Sequence, residues 1–391
     1  MFHRWSPIAR RRAAVMSVLS VAFALAACSP PPPPPPAPPL PPAIALAAGG
    51  SHTCAIVAAG SVKCWGQNDR GQLGNGTKVG SLAPVEVVGL SGVVELSAGG
   101  YFSCALLASG DIKCWGMNDA GQLGNGTNTD SNVPVDVVGI SDATQISAGL
   151  EHICALVVDS SVKCWGSNHY AALGDGSYAD SNVPVDVVGL ADSIQVASGA
   201  VHSCALLAGG SAKCWGNNGN GNLGNGMNAS SAVPVDVIGI TVATDISVGT
   251  YSTCALLAGG HVKCWGANQY GELGNGTSQS WSYVPVDVSG VQGAIALTVS
   301  NFHACVLTLP GGAVKCWGWN DSGMLGNGTS VALSAEPVDV VNLGGATQIS
   351  SRSQHTCARL TGGTVECWGA NGYGQLGDRT RTSSNVPVRV G

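Results

Sequence analysis

The side chains best suited to chemistry in this chain are its cysteines, and their spacing is regular. Fifteen occur. Fourteen fall in pairs: Cys54 with Cys64, Cys104 with Cys114, Cys154 with Cys164, Cys204 with Cys214, Cys254 with Cys264, Cys305 with Cys316 and Cys357 with Cys367. Partners lie ten residues apart, eleven in the sixth pair, and the pairs recur every 50 to 52 residues. Metal binding favours C-x2-C spacing, and no pair has it. No metal and no cofactor are therefore expected. Thiol redox catalysis would need a distinctive pair, whereas these seven are equivalent. Two cysteines at equal depth on the arms of a hairpin, by contrast, face each other within bridging range. Seven disulfides are expected, with buried free thiols as the alternative.

The fifteenth cysteine, Cys28, stands apart, and its surroundings bear on the redox compartment. Arg4, Arg10, Arg11 and Arg12 precede the apolar run AVMSVLSVAFALAA (14–27). That run is short for a membrane span and reads as an export signal. It ends in Leu25-Ala-Ala-Cys28, which resembles a bacterial lipoprotein signal. The resemblance implies cleavage before Cys28 and lipidation of that residue, and Ser29 after it favours the outer membrane; a plain secretory signal is the alternative. An exported chain with evenly paired cysteines fits the disulfide reading. PPPPPPAPPLPP (31–42) follows. Such a run adopts an extended polyproline helix, and residues 30–42 would span roughly 40 Å. The expected organisation is signal and lipobox (1–28), proline-rich linker (29–42) and folded body (43–391).

The four arginines of the signal have no acidic counterpart there. The rest of the chain holds 13 basic against 23 acidic residues, net −10. Nucleic acid is thereby disfavoured as a partner, since its binding needs a basic footprint. Charged residues make up only 10% of the chain while glycine numbers 56, which suggests tight turns and β structure.

The elements that must position the cysteines repeat with them. In the second unit PVEVVG (84–89), VVELSAG (93–99), SCALL (103–107) and DIKCWG (111–116) read as short strands. Ser109-Gly110 signals a hairpin turn between the last two. The longer segment MNDAGQLGNGTNTDSN is expected to cross to the next unit, which then starts with PVDVVG. Seven units of four strands predict an all-β, seven-bladed propeller of four-stranded antiparallel blades. The first unit lacks a preceding PVxV run, and the chain ends on VPVRVG (386–391). This C-terminal strand is expected to complete the first blade and close the ring.

Six copies of W-G-x-N-x-x-G-x-L-G, and a third-unit copy with Ala171 at the second glycine, each after a Cys and before a PVxV run, resemble the regulator of chromosome condensation repeat family. The resemblance covers nearly all of residues 43–391 and implies the seven-bladed propeller. The founding member is a nuclear exchange factor for a small GTPase. An exported acidic chain with no insertion to wedge into a GTPase does not inherit that role, since fold does not fix function.

Comparison among units exposes a charge pattern. The residue before the second Cys is Lys63, Lys113, Lys163, Lys213, Lys263 or Lys315, against Glu86, Asp136, Asp186, Asp236, Asp287 or Asp339 in PVxV. In the seventh unit both signs flip, to Glu366 and Arg389. The two side chains are expected to meet across the junction between neighbouring blades. The CWG tryptophans (Trp65, Trp115, Trp165, Trp215, Trp265, Trp317 and Trp368) are expected to pack between blades. His52, His152, His202, His303 and His355 share one repeat position and are expected to bond a turn, with Phe102 and Ser252 replacing them in two units.

Function should lie where the repeat is broken by loop aromatics, because these resemble interface anchors. The candidate binding residues are Tyr101, Phe102, Tyr170, Tyr251, Tyr270, Trp281, Tyr283, Phe302, Trp319 and Tyr373. Simple capping of blade ends is the alternative. No nucleophile–base pair, phosphate loop or carboxylate pair stands out, so no enzyme is expected. The leading reading is a monomeric, lipid-anchored scaffold of the cell envelope that binds a protein or glycan. One alternative is an inhibitor of a β-lactamase or related envelope enzyme, since a secreted inhibitor of that kind uses a similar propeller. Another is an enzyme with a site on the propeller face.

Overall fold

The computed structural model describes residues 40–278 and 280–391. The expected signal with Cys28, and the linker through residue 39, lie outside the described residues. Seven four-stranded antiparallel sheets form a seven-bladed propeller. The second blade is typical. Its strands are Val93–Ala98, Phe102–Leu107, Ile112–Gly116 and Ser131–Asp136, paired in that order from the innermost outward.

Residue type explains the placing of each strand. The second strand of a blade is covered on both faces by neighbouring blades, so it reads as an unbroken run of small and apolar residues such as SCALL. The fourth strand faces outward and mixes polar with apolar positions. The core is divided among the blade junctions. One cluster joins Cys104, Leu106, Ile112 and Leu123 of the second blade to Ile146, Ile153, Ala155 and Trp165 of the third.

All seven expected disulfides are present, and the alternative of buried free thiols falls away. Cys54 is bonded to Cys64, Cys104 to Cys114, Cys154 to Cys164 and Cys204 to Cys214. Cys254 is bonded to Cys264, Cys305 to Cys316 and Cys357 to Cys367. Each pair is directly opposed in register on the second and third strands of its blade. Cys104↔Cys114, Cys154↔Cys164, Cys204↔Cys214 and Cys254↔Cys264 all face each other in this way. The bonds are buried between blades, so they act as structural staples and offer no thiol to a substrate. The turn between these strands contains Gly110 at φ 90°, where a β-carbon is disfavoured. In the sixth blade the longer turn absorbs the extra residue and leaves Cys305↔Cys316 in register.

Three expectations about the strands need correction. First, PVxV does not open a blade. Ser81–Glu86 pairs with Ser61–Gly66, as the outer strand of the first blade. The long segment therefore turns back within its own blade, and only the short run VVGLSG passes to the next. Second, the C-terminal strand Ser384–Arg389 does not complete the first blade. It pairs with Val365–Gly369 of the seventh, through Cys367↔Val388 and Glu366↔Arg389. It follows its CWG at the common repeat spacing, so it folds back onto its own hairpin. Third, the Lys–acid pairs lie within a blade. Lys163 and Asp186 are opposed on adjacent strands and form an ion pair. The same holds from Lys63–Glu86 to Lys315–Asp339. The flipped pair Glu366 and Arg389 keeps the register. These acids are largely exposed, so a double-mutant cycle on Lys163 and Asp186 should return a coupling below about 1 kcal/mol. A coupling well above that would give the pairs a larger part in stability than an exposed contact allows.

Candidate functional site

The most regular polar geometry lies at the blade junctions. Each CWG indole is fully buried and donates Nε1–H to a backbone carbonyl in the long segment of the preceding blade. Trp115 reaches Gln72 at 2.9 Å and Trp215 reaches Ala172 at 2.8 Å. The glycine after the leucine of that segment must be bare. A β-carbon on Gly174, at φ 69°, would lie 2.7 Å from the Trp215 ring nitrogen. The segment is itself held by a buried asparagine: Asn168 accepts from the Leu173 amide at 2.9 Å and donates to the Ser177 carbonyl at 3.2 Å.

The five histidine side chains reach across the junction instead of bonding the turn of their own blade. Each Nε2 meets a hydroxyl of the next blade, as in His52–Ser103 at 2.8 Å, His202–Thr253 at 2.7 Å and His355–Thr53 at 2.9 Å. The Ser103 hydroxyl donates onward to the Gln72 carbonyl, so Nε2 carries the proton. Burial holds His52, His152, His202 and His303 neutral, with pKa values lowered to about 3, and His355 to about 4. The two exceptions obey the same rule. Where Phe102 and Ser252 replace histidine, the next blade presents Ile153 and Ala304 in place of the hydroxyl. Phe102 packs with Ile153 in one core cluster.

The ring closes by repeating this junction between its last and first blades. Trp65 donates to the Gln375 carbonyl at 2.9 Å, as does the Thr53 hydroxyl. The Leu46 amide donates to Gln348 at 3.1 Å and the Ala48 amide to Ser350 at 3.0 Å.

The loops joining first to second strands and third to fourth strands emerge on one face, because His52↔Gly66-type pairs end both strands together. Most of the aromatic candidates lie there. Tyr101, Tyr170, Tyr251, Tyr270 and Tyr373 are exposed. Tyr270, Phe302 and Trp319 converge, with ring centroids 5.4 to 5.6 Å apart. Tyr170 and Tyr251 line one cavity. Trp281 and Tyr283 pair at 6.2 Å at the start of the fifth blade's outer strand. Tyr101 and Tyr373 stand outside both clusters. Phe102 must be withdrawn as a candidate: it is fully buried at the histidine position and cannot touch a partner.

The RCC1-like domain model matches residues 91–391, most of the chain. The chain belongs to the RCC1-like domain family. Repeat models of the regulator of chromosome condensation also match residues 43–72 and 59–106. Over 110 residues this RCC1-like chain is 33% identical to the ultraviolet-B receptor UVR8 of Arabidopsis thaliana, covering 27% of itself and 25% of that relative's length. Yeast RCC1 (Prp20), solved bound to Kap60, superposes with a TM-score of 0.76 at 19% identity, over 87% of this chain and 83% of that one. Human WBSCR16 gives 0.75 at 22% identity, over 84% and 92%. At such identities the two structures speak for the fold alone.

Sequence reasoning missed the centre of this RCC1-like ring. The inner strands line a channel holding a cavity of about 300 Å³. Polar side chains run from blade to blade around it. Gln145 accepts from the Val196 amide at 2.9 Å, Gln195 from the Ile246 amide at 3.1 Å, and Gln195 donates to Asp245 at 2.7 Å. Burial raises the carboxyls of Asp245 and Glu95, the latter to about 7. Arg352 reaches across to the Ala148 carbonyl of the third blade at 2.6 Å. It stands where Gly99, Gly149, Gly199 and Gly249 stand in other units. That break in SAG-type runs was the available signal.

Proposed function

We propose that the chain is a lipid-anchored binding scaffold of the cell envelope, whose loop face takes a protein or glycan partner. The observation that carries this reading is the gathering of exposed tyrosines and the Tyr270–Phe302–Trp319 cluster on one face. Rigid aromatics supply large contact area at low entropic cost. The seven disulfides fit an oxidising compartment.

The test is crosslinking capture from envelope extract with the full oxidised chain. Its control is a variant carrying Tyr270→Ala, Trp319→Ala and Tyr373→Ala. A partner recovered by the wild type and lost in the variant is the expected result. Equal recovery would remove the aromatic face from the proposal. Inhibition of a β-lactamase by the same chain would favour the inhibitor instead.

A further inference from the structure

Between the third, fourth and fifth blades, on the aromatic face, lies a cavity of about 240 Å³. Glu151, Tyr170, Tyr251, Ser167 and Thr250 line it over a floor that includes Val201. Glu151 and both tyrosines reach solvent, whereas Ser167 and Thr250 are buried. The Thr250 hydroxyl has no protein partner among the described residues. A buried hydroxyl without a partner is costly, so one kept at a cavity wall suits a ligand with hydrogen-bonding capacity.

The composition of the walls selects the ligand. Tyrosine faces carry negative potential and attract cations. Glu151 adds a carboxylate, and no lysine or arginine lines the cavity. Hydroxyl oxygens at Ser167 and Thr250 can accept from N–H donors. The surrounding chain is acidic. These groups also occupy positions where the repeat varies. Glu151 stands where other units have Ser51, Tyr101 and Val201, whereas Tyr170 stands where two further units also have tyrosine, Tyr270 and Tyr373. The carboxylate sets this cavity apart, since the equivalent positions of the seventh and second blades carry Gln354, Tyr373 and Tyr101.

We infer that this cavity is a cation pocket for an alkylammonium or guanidinium group, the form in which a partner would present a lysine or arginine side chain. The inference rests on the scaffold reading and deepens it by naming the chemistry of the anchor. The cation enters between the Tyr170 and Tyr251 rings, pairs with Glu151 at the rim, and donates inward to Thr250.

The test is ligand-observed NMR on the full oxidised chain, with n-butylammonium and n-butylguanidinium as probes at constant ionic strength and 1-butanol as neutral control. Saturable binding of one or both cations is expected, with the alcohol weaker. Glu151→Gln and Tyr251→Ala should each weaken cation binding about 2- to 5-fold, with circular dichroism unchanged. The preferred cation identifies lysine or arginine as the source. Butanol binding as well as the cations, or variants that bind like wild type, would overturn the pocket. The capture variant above leaves these residues intact. Capture that succeeds while the cations fail to bind removes the pocket and keeps the scaffold. Cation binding without capture does the reverse.

Discussion

Trp215→Ala should lower the unfolding free energy by about 3–5 kcal/mol, the range for truncating a fully buried aromatic. The indole fills a junction rather than a blade. It packs against Gly174, and its Nε1 serves the Ala172 carbonyl. Truncation leaves a cavity that the sheets on either side cannot close, because hydrogen-bond ladders fix their own spacing. Trp215→Phe keeps most of the volume and loses the hydrogen bond, so it should cost less. Trp65→Ala gives the decisive comparison. Trp65 lies at the closing junction and makes the same bond, to Gln375. Its loss should match that of Trp215→Ala in denaturant titrations. A much smaller loss at Trp65 would mean that the ring closes more weakly than its other junctions join. A loss below about 1 kcal/mol at both sites would place stability elsewhere than the junctions.

Acidification should destabilise the propeller from below neutrality. An unfolded histidine titrates near 6.5. The five buried histidines titrate at about 3 to 4 in the fold. Their folded pKa values are depressed, and the neutral form is the folded one. Their contribution is complete above pH 6.5 and is lost as pH falls below it, at about 1.4 kcal/mol per pH unit for each histidine. Burial raises Glu95, Asp245 and Glu272, which act in the opposite sense in the range above the unfolded carboxyl values. Five against three leaves a net uptake on unfolding of no fewer than about two protons near pH 5. The unfolding midpoint should therefore fall between pH 7 and pH 5, and an unchanged midpoint would contradict the burial argument. The double variant His202→Phe, Thr253→Ile copies the pairing of Phe102 with Ile153. It should fold and reduce the uptake by about one proton.

The junction partners show what comparison among repeats could reach. Histidine and hydroxyl lie about 50 residues apart and vary together. Phe102 accompanies Ile153 and Ser252 accompanies Ala304. Comparing each unit with its successor would have exposed this link, whereas comparing equivalent positions suggested only tolerance. The Lys–acid pattern was legible as a contact because both signs flip, but its place was misread. Register decides that, and register depends on which hairpin the PVxV strand joins.

The candidate site was legible in part. Loop aromatics are conspicuous as departures from a repeat, and most of them are exposed on one face. Phe102 was indistinguishable from these by type, since burial at the second-strand position is a tertiary property. Arg352 and Glu95 escaped notice because polar residues on an inner strand acquire meaning only when seven such strands face a common channel.

The sequence by itself determined the strands, the cysteine pairing and the number of blades. Pairs such as Cys164 with Cys154, Cys214 with Cys204 and Cys264 with Cys254 each close within one hairpin, so no distant segment is needed to choose the partner. These features follow from local alternation, turn chemistry and a period repeated seven times. Only the tertiary structure decided the blade boundary, the manner of closure and the meeting of Glu151, Tyr170 and Tyr251. The physical reason is that the core of this propeller lies between blades. Contacts across a junction, and the choice of blade for each outer strand, are settled by packing of distant segments that local pattern does not record.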